Sequence, residues 1–202
     1  MQQMATQQAT NQPAQQQQQT NTTVTYTATP GRLNPDQLID YSTSTGAKLY
    51  QAAIAPLNIK FNVSSSGVIV FSNQLQERAY NMGWGLVGGN IVYIPISAAP
   101  GAPTKNVITE YGQLTHQQIR EACTFLTSTQ SRRTQNNNQM YACIMASLTE
   151  EARLRVVAER ERYTINGEPC AALLYKTIMN LAIIDNRVTS EHFRANLKNL
   201  AT

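Results

Sequence analysis

The residues with the clearest chemical potential lie in GEPCAALL, Gly167 to Leu174, where a cysteine enters an apolar helical pattern. In the first turn of a helix, free backbone N–H groups and the positive end of the helix dipole lower a thiol pKa and create a nucleophile. A hydrolytic Cys–His centre would join Cys170 to His116 or His192, the only two histidines, with Asp185 orienting the ring. No Gly-rich loop suited to an oxyanion accompanies the cysteine, and free cysteine is commonly packed as a small hydrophobe. We therefore read Cys170 as a packed thiol and assign no catalytic residue. A Cys170-dependent hydrolase is kept only as a reading to be tested.

Other chemistries find less. Cys123, Cys143 and Cys170 are an odd, widely spaced set without a CxxC or a Cys/His cluster. Neither a disulfide framework nor a metal site is expected, no cofactor is implied, and a reducing compartment fits, cytoplasmic or else nuclear. GWGLVGG, Gly83 to Gly89, lacks the preceding strand and following Gly-Lys-Ser/Thr of a phosphate loop, and reads as a loop anchored by Trp84. Arg132 and Arg133 precede an Asn/Gln run, and Arg153, Arg155, Arg160 and Arg162 fall on one predicted helix. These six form a weak candidate nucleic-acid face, since interleaved glutamates offset them and no aromatic ladder accompanies them. A net charge of +4 permits such contact without requiring it.

The elements that must position these groups begin after a tail. Residues 1–30 carry no charge, and ten of the first 19 are glutamine. Such a segment buries too little apolar surface to offset its ordering entropy, so residues 1–40 are expected to be a disordered Gln/Thr-rich tail and linker. No signal peptide and no apolar run of about 18 residues is present, so no membrane partner is expected, and with no catalytic residue assigned no small-molecule substrate is expected either.

From about Gly46, Leu49, Ala52, Ala53 and Leu57 recur at helical spacing; NIKFNVSSSG is a loop. Val68, Phe71, Leu75 and Ala79 form a second stripe ending near Met82-Gly83. A β-branched run closed by Pro95 predicts one short strand near residues 90–96, and SAAPGAPTKN a loop. Thr115 and Gln118 have capping-box spacing, with Ile119, Ala122, Cys123 and Leu126 inward. RRTQNNNQMYACIMASL predicts a helix with Tyr141, Ile144 and Met145 inward. Ser147 and Glu150 read as the next capping box, opening a helix to about Arg162. NGEP then breaks the chain and Pro169 starts a helix to about Ile184 whose stripe includes Leu173, Leu174, Ile178 and Leu181. Thr189-Ser190 caps a last helix with Phe193, Leu197 and Leu200 inward. Together these predict a mainly α, all-α domain over 41–202 with six or seven helices.

Three phrases carry a family likeness: DYSTSTGAKLYQAAIAPLNIKFN, VFSNQLQERAYNMGWGLV with IVYIPI, and GEPCAALLYKTIMNLAIIDNRVTSEHFRANLKNL. They resemble the Gag capsid region of copia-type LTR retrotransposons, above all those of diatoms and related algae, from about Asp40 to the C-terminus. Where such Gags often read Phe-Asp-Gly, this chain reads Phe61-Asn62-Val63. No zinc knuckle, protease, integrase or polymerase signature accompanies the likeness. The family would continue the last helix, so the resemblance implies a Gag truncated at its C-terminus.

It further implies a capsid-like bundle and a structural, non-enzymatic protein. Such a protein self-associates into a particle or scaffold around element RNA, its partners being itself and that RNA. Trp84, Leu173, Leu174, Ile178, Leu181, Phe193 and Leu197 would be the core and assembly positions. The alternative is a generic helical protein-interaction module with a low-complexity Gln-rich tail.

Overall fold

Threonine caps and one left-handed glycine punctuate the helices of this chain. The computed structural model describes residues 37–126 and 131–183. The predicted tail up to residue 36 and the predicted last helix with Phe193 and Leu197 lie outside those residues. Thr43 opens α1 (Ser44–Ile54) by accepting from the Gly46 N–H at 3.0 Å. At its other end, the Arg78 guanidinium donates to the carbonyls of Ala52, Ala53 and Ala55, groups that a helix C-terminus leaves without partners. α2 (Val68–Met82) buries Phe71, Leu75 and Ala79 as its stripe predicts, and stops at Gly83, whose φ of 70° suits glycine.

The predicted strand is present as β1 (Tyr93–Pro95). The stretch read as a plain loop contains its antiparallel partner, β2 (Thr104–Asn106), with Ile94 opposite Lys105. α3 (His116–Ala122) starts on the expected capping box, Thr115 accepting from the Gln118 N–H while the Gln118 side chain accepts from Thr115.

α4 (Arg132–Ser147) departs from the reading. Met140, Cys143 and Ile144 are buried, but so are Arg132, Asn136, Asn137 and Gln139, while Tyr141 and Met145 are only half-buried. Apolar spacing alone points to the wrong edge of this helix, because its amides are hydrogen-bonded internally. Ser147 is also not a cap. It ends α4, its hydroxyl donating to the Cys143 carbonyl at 2.6 Å and accepting from the Leu57 N–H at 2.9 Å. Phe61 clamps the turn that follows, donating to the Ser147 carbonyl and accepting from the Thr149 N–H. Thr149 then caps α5 (Glu150–Ala158), which ends earlier than predicted and passes into a 3-10 turn, Arg160–Tyr163.

Asn166 and Gly167, with φ of 52° and 85°, make the tight turn between β3 (Thr164–Ile165) and β4 (Glu168–Pro169). Pro169 is therefore a strand residue opposite Thr164 and not the first residue of a helix. The Cys170 carbonyl accepts the first helical bond, from Leu174, and the helix continues over 171–183. We call it α6. Every residue from Ala171 to Met179 is buried, so α6 is central and surrounded on all sides. Leu173, Leu174 and Ile178 are each 0% exposed, and full burial of such a side chain contributes about 1.5–3 kcal/mol. Its buried hydroxyls are both bonded: Tyr175 donates to the Ile108 carbonyl at 2.9 Å and bonds Ser72, and Thr177 donates to the Leu173 carbonyl at 2.8 Å.

A single apolar cluster joins all six helices with β1 and β3. Phe61 stacks on Phe71 with centroids 4.5 Å apart, and Phe71 on Tyr175 at 6.3 Å. Val63, where the resembled family has glycine, is fully buried and holds φ at 59°. A β-branched residue rarely adopts that left-handed geometry.

Candidate functional site

The six arginines do not form one surface. Arg132 is 6% exposed; its Nε donates to Asn136 at 3.1 Å and its Nη1 to the Gln37 carbonyl at 3.1 Å. Arg133 donates to the carbonyls of Asn90 and Ala122 and lies 3.8 Å over the Phe125 ring. Burial lowers the pKa of both guanidinium groups. Arg132 is an internal clamp, which corrects its assignment to a polyanion-facing surface, and Arg133 is half-buried with its guanidinium committed to protein carbonyls. Arg132 works with its neighbours on α4. Gln135 bonds both the N–H and the carbonyl of Ile39, and Gln139 donates to Tyr41 Oη and accepts from Trp84 Nε1. α4 thus holds the end of the predicted linker, residues 37–40, and the following Tyr41 against itself.

Arg153, Arg155, Arg160 and Arg162 remain near the surface. Arg153 is ion-paired with Glu150, and Arg162 with Glu159 at 2.6 Å. An open hollow of about 620 Å³ lies between Ala158 and Gly167, where Arg160 and Arg162 alternate with Glu159 and Glu161. Arg120 reaches from α3 toward the same region, bonding the Thr164 and Arg162 carbonyls.

Cys170 occupies the N-cap position of α6, with the Ala172 and Leu173 N–H groups aimed at its sulfur. His116 is not its hydrogen-bond partner. His192 and Asp185 lie outside the described residues, and His116 opens α3 with its Nε2 buried and unbonded. Burial, then Lys176, Arg162 and Arg120, depress the His116 pKa. The neighbour of Cys170 is Cys123, and the two thiols interact. That contact, more than the opposing burial, holds Cys170 below the ordinary thiol range and pushes Cys123 up. Widely spaced cysteines give no local signal for such a pair. Among the described residues no group of three or more His, Cys, Asp or Glu side chains could hold a metal, and no helix is long and apolar enough to cross a membrane.

The Gly83–Gly89 stretch is a packing device. A Cβ on Gly85 would stand 2.7 Å from the Tyr93 ring, so only glycine lets that ring lie down there. Trp84 is fully buried, as its anchoring role requires. Of the remaining core and assembly positions, Leu181 is half-buried.

α2 presents Ile69 and Tyr80 outward at 72% and 66% exposure, one helical face apart from its buried stripe. Val87 and Tyr93 are exposed as well, and Tyr80 and Tyr93 line a groove of about 200 Å³ together with Ala79 and Gly83. No family model matches the chain, and neither a curated protein nor a solved structure matches it.

Proposed function

We propose that this chain is a structural, non-catalytic Gag-like protein that self-associates through its helical domain into a scaffold around RNA. The observation that carries the reading is the two-sided character of α2. Its inner stripe is consumed by the core, yet Ile69, Val70 and Tyr80 remain exposed, and so do Val87 and Tyr93 past the helix end. Tyr80 and Tyr93 share the rim of the groove of about 200 Å³, and an exposed apolar surface of this kind is a common sign of a protein contact. Further support is the resemblance of the TSTGAKLY, GWGLV and GEPCAALLYK phrases to retrotransposon Gag. A lattice of such contacts needs only modest affinity in each, because every subunit makes several. Arg153, Arg160 and Arg162 are the residues nearest to an RNA-facing role.

Sedimentation over a concentration series tests the assembly. The expected result is a mass that grows with concentration and falls back toward the monomer in Val87→Asp. A strict monomer at every concentration overturns the proposal. RNA binding, where it occurs, should weaken steeply with salt and more so in Arg160→Gln.

A further inference from the structure

Cys123 and Cys170 come from separate elements, yet two independent sets of bonds bring them together. Arg120, one turn before Cys123, donates its Nη1 to the Thr164 carbonyl at 2.9 Å, which docks the end of α3 on β3. The Cys170 N–H donates to the Tyr163 carbonyl at 2.7 Å, which places the start of α6 beside the same strand. Asn137 fixes that start from the other side, bonding the Pro169 carbonyl and the Ala171 N–H, each at 2.8 Å. The result is a thiol–thiol contact in the core, with both side chains almost wholly enclosed.

We propose that Cys123 and Cys170 close to an intramolecular disulfide under hydroperoxide, a reversible oxidation that locks the end of α3 to the start of α6. Cys170 is the attacking sulfur, because the helix N-terminus and the Cys123 S–H both stabilise its thiolate. The thiolate takes one oxygen from the peroxide, giving a sulfenic acid and releasing hydroxide, or alkoxide from an alkyl peroxide. The Cys123 sulfur then displaces hydroxide from the Cys170 sulfur, and the Cys123 proton leaves with it as water. With hydrogen peroxide, two thiols and one peroxide become one disulfide and two waters. Enclosure of both sulfurs selects a small oxidant and disfavours exchange with a bulky disulfide. The third thiol, Cys143, stands apart, donating to the Ala55 carbonyl at 3.4 Å. This site is independent of the self-association proposed above, and its failure would leave that reading untouched.

The test uses the full chain, reduced, desalted and treated with hydrogen peroxide. Thiols are counted by maleimide labelling after denaturation, and the linked peptides are mapped by mass spectrometry. The expected count falls from the three free thiols to one, with a mass loss of two hydrogens and a link between the Cys123 and Cys170 peptides. Dithiothreitol should restore all three, and the oxidised protein should melt at a higher temperature. Cys123→Ser should instead accumulate Cys170 bearing one oxygen; if that variant does not fold, the wild-type count still decides. Three thiols surviving treatment, a link through Cys143, or links between chains overturn the proposal. A melting temperature that stays level or falls overturns the lock.

Discussion

α6 fills the centre of the molecule with aliphatic and aromatic side chains, whereas α4 reaches the same depth with amides and a guanidinium. Burial of apolar area has no direction, so α6 depends on volume and on close contact. Burial of an amide costs free energy unless each polar atom finds a partner in the right place. α4 meets that demand with groups brought from far along the chain. Gln135 serves Ile39, Gln139 serves Trp84 and Tyr41, and Asn137 serves Pro169 and Ala171. One helix is held by shape and the other by satisfied hydrogen bonds.

Substitutions that separate shape from partnering break or sharpen this contrast. The largest effect is expected at the centre of α6. Leu174→Ala should lose about 3 kcal/mol of unfolding free energy in a urea titration, from lost contacts and a residual cavity. Leu174→Met, which keeps most of the volume, should cost less than about 1.5 kcal/mol. Equal losses in the two would show that α6 is not governed by volume.

Next comes Asn137→Ala. It removes little apolar surface but strands the Pro169 carbonyl and the Ala171 N–H, and should cost about 2 kcal/mol. Near-wild-type stability in the same titration would mean that water or a small shift replaces both bonds, and that α4 is not held by partnering.

The smallest effect lies on the surface. Glu110 accepts from the Asn106 N–H and pairs with Lys105 at 3.0 Å, and the backbone bond first, then Lys105, holds its pKa below the ordinary 4.5. Because the folded-state pKa is the lower one, this contribution is present above 4.5 and is lost as pH falls through the folded value. Urea midpoints measured down the acid range should decline less steeply in Glu110→Gln. Parallel declines would assign the acid sensitivity elsewhere.

Much of the fold was legible where local rules act. The Val68–Phe71–Leu75–Ala79 stripe, the Gly83 stop and the Thr115–Gln118 capping box are where the sequence places them, because each depends on residues within a few positions. The failures have the same root. Ser147 and Thr149 are equally good caps on paper, and the backbone of Phe61, far upstream, selects Thr149. SAAPGAPTKN has the composition of a loop, but β1 supplies a strand for its last three residues to pair with. Arg132 and Arg133 read as exposed cations because nothing local reveals the carbonyls of Gln37, Asn90 and Ala122 that receive them.

Of the candidate sites, Cys170 was correctly placed at a helix start, but its neighbour was not visible. By itself the sequence determined the helical class, most helix starts and stops, and the apolar stripe of α6, since caps, turns and periodicity are properties of short stretches. Tertiary structure alone decided which amides of α4 turn inward, which arginines leave the surface, and that Cys123 meets Cys170. Those outcomes depend on donors and acceptors delivered by distant segments, and a polar side chain can be buried only after they arrive.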